Sequence, residues 1–530
     1  MNLIEDAWIP VRRRSGKIES ITPWQLTDGF STDPFVQVAA PRPDFSGALV
    51  QFLIGLLQTQ LAPEDVSEWR RKLRQPPVAE ELKAAFKDAG SSFQLDGEGP
   101  RFLQDLNLER EIAVLDSAAQ EDRTKCVGDL LVNIPTGKTL RDNTDLFVKR
   151  GLVDVLCPAC AAAALITMQI NAPSGGQGHR TGIRGGGPLT TLVLGDSLWA
   201  TCWLNVLAQR EFLATSGNPA KNSPADRFPW LAPTRTSEEG RGTTPEDCHP
   251  TQVFWAMPRR VRLVFFEEEA TCDICSKDAM WVVRQCLTKN LGINYTGPWR
   301  HPLSPHYIQT DGEPSCIHPQ SGGIGYRHWL GLVQSFDGDK AKREPAAVVR
   351  RYLQIGGEDL RLWVFGYEMD NMKVRSWCDS SIPLLICPAE ICEDFAFRVG
   401  ALVSSAELTG REICEQLNRA LFKAQKDRKG KEKKVKRDLS FVSGRFWQET
   451  EPGFYWALLK VRSALQGAGD VTATMESWHR LLVHTAEHIF DGVSQTGAFE
   501  AADPRRIALA WRDLQKALGG RKMRQSLGLH

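Results

Sequence analysis

No stretch of the 530 residues approaches the roughly 20 consecutive apolar side chains that a membrane span needs, and the opening MNLIEDAWIPVRRR has no apolar signal core. A cytoplasmic protein without a membrane partner is therefore expected. An excess of one charge is also missing: 65 Lys and Arg face 64 Asp and Glu, for a formal net charge of +1. Any contact with a polyanion must then come from local patches. The dinucleotide pattern G-x-G-x-x-G is absent. Thr136-Gly137-Lys138-Thr139 ends like a phosphate-binding loop, but Val132 stands where its first glycine is required. No repeat of fixed period, paired-carboxylate site or Ser/His/Asp arrangement emerges, so an enzyme is not indicated. Tyrosine is scarce, with 6 residues against 16 tryptophans, and the tryptophans read mostly as core or interface anchors.

The composition, 42% hydrophobic and 24% charged, is that of a globular chain, and its length exceeds one ordinary core. An α+β fold is expected, with a large irregular mixed N-terminal domain followed by a C-terminal four-helix bundle. The boundaries read as 1–375 for the first domain, 376–387 for a linker and 388–530 for the bundle. Up to residue 375, β-rich runs (261–266, 360–367) alternate with helical runs such as 47–61, and the polar, Pro-rich stretch 215–251 reads as a surface excursion. Beyond residue 388, Phe395, Val399, Leu402 and Ala406 recur at helical spacing, as do Trp478, Leu482, Thr485 and Ile489. Segments 454–465 and 505–518 supply two more amphipathic runs.

Residues 174–188 read SGGQGHRTGIRGGGP, with seven glycines and Ile183 as the one large apolar residue. Such a segment cannot build a core. It lies between an Ala-rich helical run and the strand-like LTTLVL, and Arg180 and Arg184 add positive charge beside exposed amides, which suits phosphate or a nucleic-acid groove. The basic run 423–437 is either a solvated face or a contact to a nucleic-acid backbone.

Two C-x2-C pairs, Cys157/Cys160 and Cys272/Cys275, are separated by 111 residues. Two such pairs complete the four-sulfur tetrahedron that Zn²⁺ prefers, here as a staple between distant segments; ordinary reduced thiols and a redox pair are the other readings. His484-x-x-Glu487-His488 matches an inverted zinc-hydrolase pattern, but neighbouring apolar positions already orient its helix.

One collinear set of segments runs through the chain. It comprises Met1-Asn2-Leu3-Ile4, Trp8-Ile9-Pro10-Val11, Leu131-Val132-Asn133, Cys157-x2-Cys160, Asn171-Ala172-Pro173, Gly182-Ile183-Arg184-Gly185-Gly186, Pro188-Leu189-Thr190-Thr191, Trp299-x-His301-Pro302 and Ser304-Pro305. In order and spacing the set resembles the CasA family, the large subunit of the type I-E CRISPR surveillance complex Cascade. The resemblance implies a non-catalytic subunit whose partners are the other Cascade subunits, the 5′ handle of the guide RNA, double-stranded target DNA and a helicase-nuclease. It implies recognition of the protospacer-adjacent motif through the minor groove by Ser174, Gly175, Gly176, Gln177 and Gly178. A groove-entering lysine falls at Lys289 or Asn290. A duplex-opening hairpin tip falls on Asp370, Asn371 and Met372, and a docking loop toward the guide handle on Leu131, Val132 and Asn133, expected as an exposed apolar loop that orders on assembly.

Overall fold

The computed structural model describes residues 1–529 except 136–137, 144–150, 220, 310–311, 321, 338–340, 371–372, 423–424, 427–431, 434–437 and 495–502. Backbone contacts divide the chain into two units, one of residues 1–320 and 337–381, the other of 321–336 and 382–530. The chain therefore belongs to the mixed helix-and-sheet class expected, with helices at its C-terminal end.

Helix Pro43–Gln60 organises the first unit. It opens on proline, whose missing N–H costs nothing at the first helical turn, and it is apolar round most of its circumference, so most of its residues are buried. Phe52 on this helix meets Trp8, Phe93, Phe102 and Trp255 edge-to-face, with centroids 5.4 to 6.0 Å apart. This cluster is the aromatic heart of the unit. Helix Pro158–Asn171 packs against the same helix, its alanines permitting close approach.

Around these helices lie three sheets that matter to the site. Strands Arg260–Thr271 and Asp278–Lys289 form a long antiparallel hairpin, joined at its outer edge by Thr124–Cys126. Strands Thr190–Leu194, Leu360–Asp370 and Lys373–Leu384 form another sheet with Leu360–Asp370 central. A third sheet is built from Ile9–Arg13, Ile18–Ile21 and Phe35–Val38.

Two expectations are corrected in this unit. The stretch 215–251 is not merely a surface excursion: Phe228 and Trp230 are buried in the aromatic cluster, and Trp230 Nε1 donates to the Ser92 carbonyl at 2.5 Å. Two large aromatic residues bury enough apolar area to tie down an otherwise polar loop. Most of the supposed linker 376–387 is not linker either, because Ser376 to Leu384 lie in strand Lys373–Leu384, with Cys378, Ile382 and Leu384 buried.

The second unit is built from helices Cys392–Leu421, Ser440–Leu465, Val471–Ser494 and Pro504–Leu518. Phe395, Val399, Leu402, Ala406, Leu482 and Ile489 are fully buried, as their spacing requires. Trp478 Nε1 donates to the Leu402 carbonyl and to Ser405 Oγ, both at 3.1 Å, satisfying the one polar atom of a buried indole. The second helix begins at Ser440, earlier than the sequence suggests, and carries Pro452 internally. At the next residue, a Cβ on Gly453 would come within 2.1 Å of Leu481 Cδ2, so glycine sets the approach of the facing helix. Residues 321–336 complete this core: Tyr326 stacks on Phe454 at 4.4 Å and bonds Thr450, and Trp329 donates to the Pro383 carbonyl.

Candidate nucleic-acid interface

The glycine loop leaves helix Pro158–Asn171 and is fastened along its length before it enters strand Thr190–Leu194. Gly178 has φ +78°, and its carbonyl accepts from the Leu291 amide at 2.8 Å. Asn290 Nδ2 donates to the Gln177 carbonyl at 2.9 Å. A Cβ at Gly178 would come within 3.1 Å of both Asn290 Cβ and Leu291 Cδ2. The structure thus brings Gln177 and Gly178 together with Asn290. Lys289 points elsewhere: its ammonium pairs with Glu111 at 2.6 Å, and Arg260 occupies the other oxygen of that carboxylate. Of the two positions, Asn290 is the one bonded to the loop, while both line the same cleft. Gly176 and Gln177 are exposed, and a Cβ at Gly175 would meet open space.

Arg184 contradicts its expected role as a surface cation. It is buried, donating to Thr190 Oγ1 at 3.0 Å, Ser304 Oγ at 2.9 Å and Gln51 Oε1 at 2.5 Å, and burial lowers its pKa to about 10. Three neutral acceptors hold the guanidinium inside and pin the loop to helix Pro43–Gln60. Arg184→Ala is expected to cost about 3 kcal/mol by stranding these acceptors. Denaturant melts of the variant and its parent check this. Arg180 is tied to Ser237 Oγ at 2.7 Å.

A residue the sequence reading missed, Arg259, holds the first part of the loop. It bonds the Pro173 carbonyl and the His179 ring, the latter at 2.7 Å, and is largely buried, which lowers its pKa to about 10. His179 is lowered by burial and by this neighbouring charge. No spacing rule separates Arg259 from Arg260 in the run PRR; only the tertiary contacts do.

Leu131 and Val132 are buried rather than exposed, and Asn133 Oδ1 accepts from Arg42 at 3.0 Å. The turn Val127–Leu130 precedes them and supplies the cover that sequence alone could not anticipate. Leu131 and Val132 line a cleft of about 430 Å³ shared with Pro173, Gly178, Arg259, Lys289 and Asn290. The expected docking loop and the expected DNA loop are therefore two walls of one depression.

The hairpin Leu360–Asp370/Lys373–Leu384 approaches this region through its first strand. Tyr367 donates to Asp44 Oδ2 at 2.6 Å, and a Cβ at Gly187 would lie 2.6 Å from the Tyr367 carbonyl. Asp370 is paired with Arg375 across the hairpin, which neutralises a carboxylate otherwise ill-suited to phosphate. Asn371 and Met372 lie outside the described residues. So does most of the basic run 423–437, of which two short paired strands, Gln425–Lys426 and Glu432–Lys433, are described.

The four cysteines converge. Cys157 caps helix Pro158–Asn171, while Cys272 and Cys275 occupy the turn of the long hairpin. Backbone bonds between Leu156 and Val283, and between Asp273 and Val155, bring the turn to the helix, and Asp273 Oδ2 accepts from the Asp154 and Val155 amides. All four Sγ atoms lie within 4.8 Å of one another, with Cys157 and Cys275 at 3.7 Å. A zinc tetrahedron with Zn–S near 2.3 Å has edges of about 3.8 Å, so the donor set fits Zn²⁺ in number, chemistry and size. Bonds from Cys157 and Cys160 lower the Cys272 thiol, whereas sharing protons with its neighbours raises Cys160.

Among the described residues this is the one group of three or more His, Cys, Asp or Glu able to converge on a metal. His484 and His488 are exposed on helix Val471–Ser494, and Glu487 accepts from Gln515 at 3.3 Å.

Comparison with solved structures places this architecture in one class. CasA (Cse1) of Thermus thermophilus is 17% identical, with 98% of this chain and 99% of that one covered and a TM-score of 0.65. Cse1 of Acidimicrobium ferrooxidans is also 17% identical, with 100% and 98% covered and a TM-score of 0.67. A chain of a CRISPR RNA-guided surveillance complex is 16% identical, with 98% and 99% covered and a TM-score of 0.69. At these identities the likeness is one of fold. The sequence model of CRISPR-associated protein Cse1 matches residues 2–489, and the chain belongs to the Cse1 family.

Proposed function

We propose that this chain is the large, non-catalytic subunit of an RNA-guided CRISPR surveillance complex, and that it reads the protospacer-adjacent motif of target DNA from the minor groove. The observation that carries the reading is the junction of the glycine loop with Asn290, on the rim of a cleft whose opposite wall is Leu131–Val132. A backbone surface of Gly175, Gly176 and Gln177 can approach base edges where side chains would clash. Minor-groove edges distinguish A·T from G·C mainly by the guanine amino group, so the readout is permissive. The Leu131–Asn133 wall meets the guide's 5′ handle and the adjoining subunit. The hairpin tip at residues 370–372 enters the opened step beside the motif, at a cost of a few kcal/mol that contacts to the separated strands offset. Guide RNA then reads the remaining sequence by pairing, and a helicase-nuclease is recruited to the opened target. Zn²⁺ held by Cys157, Cys160, Cys272 and Cys275 fastens the long hairpin to helix Pro158–Asn171 and takes no part in chemistry.

The test is a motif-library binding assay on the reconstituted complex, with and without this chain. Motif preference is expected to appear only in its presence; equal binding to every motif overturns the reading. Changing Asn371 and Met372 to glycine is expected to leave motif binding within about twofold, under 0.5 kcal/mol. The same change is expected to suppress permanganate reactivity of thymines beside the motif. Unchanged reactivity removes the hairpin from the mechanism. Metal-dependent hydrolysis lost on His484→Ala would favour an enzyme instead.

A further inference from the structure

The first turns of helix Pro43–Gln60 touch three segments that sequence reading treated separately. Arg42, at the helix N-cap, uses one nitrogen for two partners: Nη2 donates to Asp44 Oδ2 at 2.9 Å and to Asn133 Oδ1 at 3.0 Å, while Nε donates to Asp44 Oδ1 at 3.0 Å. The same oxygen, Asp44 Oδ2, also accepts from the Tyr367 hydroxyl at 2.6 Å. A continuous chain Asn133–Arg42–Asp44–Tyr367 therefore runs from the expected docking loop to strand Leu360–Asp370, three residues before Asp370. Asp44 and Tyr367 are each 2% exposed, so water does not compete with the bonds between them. One turn further on, Gly47 is in contact with the Phe365 ring, and a Cβ there would approach it to 2.7 Å. Gln51 then holds Arg184 of the glycine loop.

We infer that Arg42, Asp44 and Tyr367 are positioning residues that couple the docking loop to the hairpin, so that engagement of Asn133 by the guide-bearing partner changes the seating of strand Leu360–Asp370. This rests on the proposed roles of the two ends, but the coupling is a separate property. Once Asn133 turns toward a new partner, one Nη2 hydrogen of Arg42 loses its acceptor, and a guanidinium that re-aims to satisfy it loosens its two bonds to Asp44. Asp44, buried and accepting from Tyr367 on the same oxygen, then shifts with it. Buried charge pairs resist partial satisfaction, so the rearrangement passes to Tyr367 rather than being absorbed at the loop.

The coupling is read by amide hydrogen exchange of 360–384 in the full chain, free and in the assembled guide-bearing complex. Assembly with the parent is expected to change exchange in that hairpin by at least fivefold. Tyr367→Phe, which removes one hydroxyl and keeps the ring, is expected to reduce that change to under twofold without altering incorporation into the complex. In permanganate assays Tyr367→Phe is expected to slow opening about fivefold in the parent background, and to add little to Asn133→Ala. A hairpin whose exchange ignores assembly, or two substitutions whose effects on opening simply multiply, overturns the coupling. If exchange responds as expected while Asn371→Gly/Met372→Gly opens DNA like the parent, the coupling stands and the wedge reading falls. Should Tyr367→Phe unfold the chain, Asp44→Asn, which keeps the side chain's shape but replaces one accepting oxygen by a donor and so breaks the chain of bonds at its middle, makes the same measurement.

Discussion

Gly175→Leu is expected to leave the melting temperature of the protein unchanged and to lower motif-dependent duplex binding by at least about tenfold, equivalent to 1.4 kcal/mol. The added carbons enter open space in the free protein, which a bound minor groove would have to share. Gly178→Leu is expected to lose both stability and binding. Its backbone is at φ +78°, a region that costs a side-chain-bearing residue about 1–2 kcal/mol, and the new Cβ would lie against Asn290 and Leu291. The contrast separates a loop that touches DNA from one that merely closes a fold. Equilibrium binding to motif-bearing and scrambled duplexes, measured beside thermal melts, distinguishes the cases. A Gly175→Leu protein that binds like the parent removes the loop from the interface.

The second large effect is expected at the cysteines. The purified protein should carry about one equivalent of Zn²⁺, and Cys272→Ser should destabilise it by several kcal/mol, since the free energy of a structural metal is free energy of folding. Cys272 is buried at the hairpin turn, its Sγ within 4.8 Å of those of Cys157, Cys160 and Cys275. Its loss would free the hairpin turn from the helix that launches the glycine loop, so weaker duplex binding should accompany the lower stability. Elemental analysis and chelator-dependent melting check both. A native protein free of metal and indifferent to chelator would leave the cluster as reduced thiols.

The sequence displayed the C-terminal helices plainly, because buried positions such as Phe395, Val399, Leu402 and Ala406 recur at the helix period and little else competes for them. The cysteine cluster was equally visible, since paired spacing implies a shared centre and the turn and the helix cap deliver it. Arg184 shows the limit. An arginine among glycines reads as solvent-facing charge, and only Gln51 and Ser304, each more than a hundred residues away, turn it into an internal strut. The same holds for Leu131 and Val132: apolar residues in a loop signify either a waiting interface or a buried wall, and the difference is made by distant chain. Lys289 and Asn290 are neighbours in sequence, and that the lysine pairs with Glu111 while the amide bonds the glycine loop has no signature in spacing.

The placement of residues 321–336 has a consequence for how the protein can be cut. The polypeptide enters the helical unit, returns to the mixed unit at 337, and enters the helical unit again at 382, making three crossings in all. A protease that nicks the connection near Ile391 therefore does not release the four helices as a free fragment, because Tyr326 and Trp329 remain lodged among them. A recombinant piece beginning at residue 388 would lack both aromatic plugs, leaving Phe395, Phe454 and Trp478 facing solvent. The modular boundary visible in composition is thus a poor place to divide the gene, and a helical unit made to stand alone needs residues 321–336 supplied with it.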